Sequence, residues 1–333
     1  MTGATTGLID ALDALPGRKF AVVDAAHFDD LPAELEAAGF AGRPLYLDEQ
    51  KDDVVAAGPF LVSLPDRNAG RRLAELIGDK PAVVWWSWPD RGEETEEAVF
   101  RHLRTINMVE IPAGPDDPDD PAVAAEARAR EAATEQAHDH DGHDHGDQPP
   151  EPHRFDLVLF RHADPHALAM LLPELDAIQF ARLFGDATGI VINAPDLGGL
   201  RMAPRPPDLP PAPGGPLRIY PEQYASLSRA RAALVESRVG AFLRRMAPAQ
   251  AGELTEAQLR WHVAKCMNES LGYGVTSEGS HCRWAYLQLL ARGRLSQIPE
   301  INNMFRVPDH AYDANLRMRY LMEGLAEQVG GVA

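Results

Sequence analysis

The chain is short of cysteine, lysine, aromatic residues and long apolar runs. It has two cysteines, Cys266 and Cys282, in 333 residues. Two cysteines make no disulfide framework, and neither belongs to a CxxC pair or a zinc-ligand spacing, which disfavours redox and structural-zinc readings. Only four of the 32 basic residues are lysine. No stretch approaches the ~20 consecutive apolar residues of a membrane span, and the first 17 residues lack the basic start and unbroken apolar segment of a leader. A cytoplasmic protein is expected. Glycine-rich phosphate cradles (GxGxxG, GxxxxGK[ST]) and the GxSxG and HExxH signatures are missing too, which removes the best signals for nucleotide binding and the commoner hydrolases.

What is present is acid. The net charge of −18 argues against nucleic acid or an anionic membrane as partner, since phosphate surfaces demand basic ones. The charge is uneven: residues 1–113 carry −9, 114–152 carry −10, 153–216 carry −2 and 217–333 carry +3. Residues 114–152 hold no aromatic side chain and end in a run containing His138, His140, His143 and His145. Such a composition cannot bury enough apolar surface to offset ordering entropy, so a disordered insertion is expected, with a short helix at 121–136. Its imidazoles and carboxylates suit borderline transition metals, but a disordered tether fixes no geometry, and an EF-hand register fails because position 137 is alanine and 148 glutamine. Incidental metal affinity and a metal-buffering role both remain open.

Short β-branched runs at 20–24, 44–47, 60–64, 82–86, 108–111, 156–160 and 189–192 read as strands. They alternate with helical periodicity at 31–38, 69–77, 93–105, 165–172 and 177–184. This predicts an α/β domain over residues 1–202 with a partly parallel, mixed sheet. The runs at 108–111 and 156–160 flank the insertion and read as hairpin neighbours whose loop has grown, because loop closure costs little more as length rises. A Pro/Gly-rich linker at 203–216 follows. Beyond it strand signals vanish, and periodicity at 222–246, 256–271, 277–291 and 311–328 predicts a small all-helical lobe over 217–333, with Thr255 and Ser277 as N-caps.

Several residues could carry function, each with a structural alternative. Asp24 closes an apolar strand, where α/β proteins present carboxylates or cap the next turn. Trp85, Trp86 and Trp88 alternate, so Trp86 and Trp88 share one face and Trp85 takes the other, as core or as interface anchors. His262 and Cys266 share a helix face, and His281 adjoins Cys282, which admits thiol catalysis or core packing. The helix bearing Arg229, Arg231, Arg238, Arg244 and Arg245 reads as a solvated face, a dock for an acidic partner, or a surface for the chain's own acidic half.

Phe160-Arg161-His162-Ala163-Asp164-Pro165, followed by Leu171-Leu172-Pro173-Glu174-Leu175, Gln179 and Leu183-Phe184-Gly185, resembles the signature of type VI secretion effector chaperones, also called adaptors. Earlier pieces agree in order: Ala21-Val22-Val23-Asp24, Pro44-Leu45-Tyr46-Leu47, Gly58-Pro59-Phe60-Leu61-Val62, and Phe100-Arg101-His102-Leu103-Arg104 before Val109. The likeness spans 19–192. It departs at His166, where arginine is frequent, at Leu183, where phenylalanine is common, and at 114–152, where a short turn is usual. The resemblance implies a loading factor without catalysis or cofactor, which holds a cognate toxin effector in the cytoplasm and delivers it to the VgrG spike. Phe160, Arg161, Asp164 and Pro165, with Trp86 and Trp88, become candidate partner contacts. From the residues alone, Asp164 can cap a helix that Pro165 starts, and Arg161 can pair with a carboxylate. A metal-binding or structural interaction protein, or a cysteine- or metal-dependent hydrolase, are the rival readings.

Overall fold

The computed structural model describes residues 3–46, 55, 57–114, 154–306 and 313–330. The expected insertion, its helix at 121–136 and the histidines His138, His140, His143 and His145 lie outside the described residues. The chain divides into two compact units, Met1–Leu227 and Ser228–Ala333.

In the first unit a six-stranded sheet runs β2-β3-β1-β4-β7-β8, built from β1 (Arg18–Asp24), β2 (Gly42–Pro44), β3 (Pro59–Leu64), β4 (Val83–Trp88), β7 (Gly189–Ala194) and β8 (Gly199–Pro204). All its neighbouring pairs are antiparallel. A second sheet of β5 (Met108–Pro112), β6 (Phe155–Leu159) and β9 (Leu217–Arg218) runs β6-β5-β9. Here β5 pairs β6 antiparallel and β9 parallel. The parallel pairing expected from the alternating pattern is thus confined to the small, mixed sheet.

Helices cover both faces of the large sheet. α1 (Gly3–Ala14), α2 (Leu31–Ala37) and α3 (Arg67–Ile77) pack Ile9, Leu12, Leu31, Leu35, Leu73 and Ile77 against Ala21, Val23, Val62, Trp85 and Val191. On the other face α4 (Glu94–Thr105), α5 (Pro165–Leu171) and α6 (Ala177–Phe184) pack Val99, Leu103, Leu168, Leu183 and Phe184 against Phe20, Val22, Trp86, Trp88, Ile190 and Ile192. The period-two split of the tryptophans follows the pleat, as expected from the sequence. At ~25 cal/mol per Å² of apolar surface, each buried large side chain contributes on the order of 2 kcal/mol.

Three elements depart from expectation. α1 forms where no element had been expected; Leu8, Ile9 and Leu12 give it an apolar stripe. β8 reaches into the Pro/Gly-rich stretch, with Pro204 at its last position, and β9 forms just after it, where strand signals had seemed to stop. That stretch is also held by Arg182, whose Nε donates to the Gly215 carbonyl at 2.5 Å and whose Nη2 donates to Thr105 O at 2.8 Å.

The second unit begins within α7 (Pro221–Met246) and continues through α8 (Pro248–Gly252), α9 (Glu256–Gly272), α10 (Glu278–Leu290), α11 (Pro299–Arg306) and α12 (Ala314–Gly330). Thr255 caps α9 in a reciprocal capping box with Gln258, and Ser277 caps α10. Leu243, Val263, Met267, Trp284, Phe305 and Met318 form its core.

Candidate functional site: a strand-to-helix corner

After β6 the chain turns sharply into α5. Asp164 Oδ1 accepts the His166 and Ala167 N–H groups at 2.8 and 3.4 Å, and Pro165 takes the first turn, where a missing N–H costs nothing. Burial pushes the Asp164 carboxyl up, but hydrogen bonds from the His166 side chain and backbone outweigh it and hold it below the usual range. The His166 ring also lies 3.4 Å from Asp196 Oδ2.

Arg161 leaves this corner toward the end of β1. Its Nη2 donates to Asp24 Oδ2 at 2.5 Å, while Asp24 Oδ1 accepts the Ala26 N–H at 3.0 Å. The expected capping role of Asp24 and the expected carboxylate partner of Arg161 meet in one carboxylate, one oxygen for each. Burial works against the charged guanidinium, yet the Asp24 hydrogen bond and charge outweigh it and raise its pKa. Tyr46 stands alongside; burial first, then the Asp24 carboxylate, push its phenol up to about 12. A Cβ on Gly58 would meet the Tyr46 ring at 2.5 Å, so only glycine lets the ring lie there.

Behind the corner sits a buried polar chain that sequence reasoning missed. Asn107 Nδ2 donates to Leu45 O at 3.0 Å, which leaves its Oδ1 to accept from His162 Nε2 at 2.7 Å. The His162 Nδ1 is then a bare acceptor with no partner among the described residues. Burial, with the nearby His102 as a smaller cause, pushes the His162 pKa down to about 3. This ring is a neutral strut. The only sequence signal was a histidine between Arg161 and Ala163 at the strand-to-helix junction.

The rest of the signature is scaffold. Gln179 closes a capping box with Asp176 and donates to Arg218 O at 2.6 Å and to Gln223 Oε1 at 2.8 Å. Gly185 has positive φ, and a Cβ there would collide with the His102 ring. Among the candidate partner contacts, Pro165 is buried and Phe160 packs partly buried against the core, whereas the Arg161 side chain is 51 % exposed. Trp86 and Trp88 are 0 % and 1 % exposed. The interface alternative for these two is therefore corrected: they are core, because the covered sheet leaves them no surface.

The second unit brings the other candidates together without making them reactive. Cys266 Sγ lies 3.5 Å from His262 Nε2, but that nitrogen also sits 3.2 Å from Ala285 O. Burial pushes the Cys266 thiol up to about 12 and the Cys282 thiol up to about 11, away from the nucleophilic thiolate. His281 Nδ1 meets the buried Ser270 hydroxyl at 2.8 Å. Of the arginine-rich helix, Arg238 pairs with Glu278 and Arg244 with Glu256. Among the described residues no group of three His, Cys, Asp or Glu is placed to hold a metal ion, and no helix is long and apolar enough to cross a membrane.

No curated protein and no solved structure matches the chain. Residues 19–117, from β1 to just beyond β5, match the family model described as a domain of unknown function, DUF4123, a family linked to type VI secretion effector adaptors.

Proposed function

We propose that the chain is a type VI secretion effector chaperone, an adaptor that binds a cognate toxin in the cytoplasm and loads it onto the VgrG spike. The observation that carries this reading is the family match over residues 19–117, extended by the ordered signature from Phe160 to Gly185. The geometry supports it in kind: the signature residues are spent on a rigid strand-to-helix corner, the sort of support that a docking surface needs. On this reading the protein catalyses nothing and needs no cofactor.

Co-expression with a type VI toxin gene and a VgrG spike gene from the same source tests the proposal. The toxin is expected to become soluble, to co-purify with the chain, and to associate with the spike only in its presence. Unchanged toxin solubility and spike association would overturn the reading.

A further inference from the structure

Helix α9 is apolar on two faces. One stripe, carrying Leu259, Val263, Cys266 and Met267, is buried in the core of the second unit. A second stripe, Ala257, Trp261, Ala264, Asn268 and Leu271, turns away from that core, and its spacing of four, three, four and three residues is the alternation of a coiled-coil seam. Trp261 is 66 % exposed and Leu271 51 %. The other four tryptophans of the chain are at or below 1 %. A large apolar ring left in water forgoes the burial that makes tryptophan useful, and apolar side chains grouped on one exposed face mark a place where another molecule sits.

The seam has the dimensions and texture of a helix dock. From Ala257 to Leu271 it rises about 22 Å, close to four turns. The alanines at 257 and 264 let a second backbone come close, Trp261 and Leu271 stand between them as knobs, and Asn268 supplies one polar seam position, the kind that fixes register.

Charge narrows the partner. The seam is bordered by Gln258, Arg260, Lys265 and Gly272, which is two cations and no acid. Lys265 Nζ lies 5.4 Å from the centre of the Trp261 ring, at the rim of the apolar stripe. The carboxylates within a turn of these cations are engaged elsewhere. Glu256, which Arg260 also faces, takes Arg244 Nη2 at 2.7 and 2.5 Å, and Glu269 takes Trp284 Nε1 and Gln288 Nε2. The same stripe of a second copy would set Arg260 and Lys265 against their own kind in either direction, whereas a helix with acidic borders is attracted to both.

We propose that the outer stripe of α9 is a docking seam for an amphipathic helix of a partner protein, apolar at its seam positions and acidic beside them. The partner helix lies along α9 from Ala257 to Leu271, covers the Trp261 ring, and sets its carboxylates against Arg260 and Lys265. The identification of the partner as the toxin effector rests on the adaptor reading; the seam itself does not.

The probe is a peptide of three Glu-Ile-Ala-Ala-Leu-Glu-Lys repeats, which holds no tryptophan, added to the full chain. Because the other tryptophans are buried, acrylamide quenching of the intrinsic fluorescence reads Trp261. The free chain is expected to show a quenchable component that Trp261→Ala removes, and the peptide is expected to protect it saturably, less so in high salt. A control peptide with Glu and Lys exchanged should protect it at least tenfold more weakly. Lys265→Glu should weaken the acidic peptide about tenfold and strengthen the control, and Trp261→Ala should weaken the fluorescein-labelled acidic peptide by at least about tenfold in anisotropy. Both substitutions are at exposed positions, with folding checked by circular dichroism; the quenching and control-peptide arms use the unaltered chain. A free chain with no such quenchable component overturns the proposal, since the stripe is then covered by the chain itself. So do equal protection by both peptides, no protection by the acidic one, and binding indifferent to Trp261→Ala. A dimer by light scattering that Trp261→Ala dissolves assigns the stripe to a second copy, and protection by phosphatidylglycerol vesicles but not by peptide assigns it to a membrane; either result overturns it. Toxin co-purification that survives Trp261→Ala removes the toxin as occupant and leaves the adaptor reading standing, while peptide docking by a chain that never co-purifies with toxin removes the adaptor reading and leaves the seam.

Discussion

Trp85, Trp86 and Trp88 of β4 and Trp284 of α10 are all at or below 1 % exposed, but they are held differently. In the helical unit the Trp284 Nε1 donates to Glu269 Oε2 at 3.1 Å, Gln288 Nε2 donates to the same oxygen at 2.6 Å, and Gln288 Oε1 accepts the Leu295 N–H at 3.1 Å. In the sheet, the three indole N–H groups have no acceptor among the described residues. Trp86 instead meets Phe184 edge-on at 6.4 Å, and Trp88 meets His102 at 5.2 Å. The sheet's own ladder fixes its register, so its core can rely on shape and apolar area. Packed helices have no ladder between them, and a polar hub specifies how α9, α10 and the following turn meet.

The largest effect that can break this comparison is truncation. Trp86→Ala is expected to cost about 3–5 kcal/mol in urea unfolding, through the cavity it leaves. The sharper test uses phenylalanine: Trp284→Phe should cost about 2 kcal/mol more than Trp86→Phe, because it also removes one of the two donors to a charged acceptor, whereas the Trp86 N–H has no acceptor to lose. Equal costs would show that the hub does nothing.

Next in size is an acid sensitivity located in the first unit. His162 has a folded pKa of about 3 and an ordinary unfolded value near 6.5. Between these values the unfolded chain binds the extra proton, so the stability contributed by the neutral ring is full above about pH 6.5 and is lost as pH falls toward 3. From pH 6.5 to 5 that loss is about 2 kcal/mol. His162→Gln should flatten the stability profile over this window, whatever its offset. His281, also lowered by burial but less enclosed, should flatten it less when replaced by glutamine; the reverse order would contradict the assignment of the buried strut.

The smallest effect is at the surface. Arg67 bridges Asp10 and Asp13 and ties α3 to α1, with side chains 41–59 % exposed. Arg67→Ala should cost below about 1 kcal/mol, and less in 0.5 M salt; a larger thermal shift would mean that α1 docks mainly through these charges.

Legibility from sequence followed the local signals. α6 was read to the residue, the hairpin partners β5 and β6 were paired, and Thr255, Ser277 and Asp164 stand as caps, because each rests on period or capping chemistry within a few residues. The antiparallel order of the large sheet was not legible: helices between strands suggest crossovers, and nothing in 20–24 or 82–86 says which neighbour it meets. β8 hid behind Pro204, since proline at a strand's last residue looks like a break. At the site, the Arg161 pairing was foreseen in kind, but its partner lies 137 residues away. Asn107 and Tyr46 became visible only when the fold brought them beside His162 and Asp24.

The ladder between β5 and β6 extends to Ala113 and Arg154, so the two ends of the intervening stretch emerge side by side. Whatever the chain carries there, long or short, acidic or neutral, begins and ends at one point on the surface. This hairpin is a natural port: a reporter domain or a cross-linking tag grafted between positions 114 and 154 would leave the framework in register.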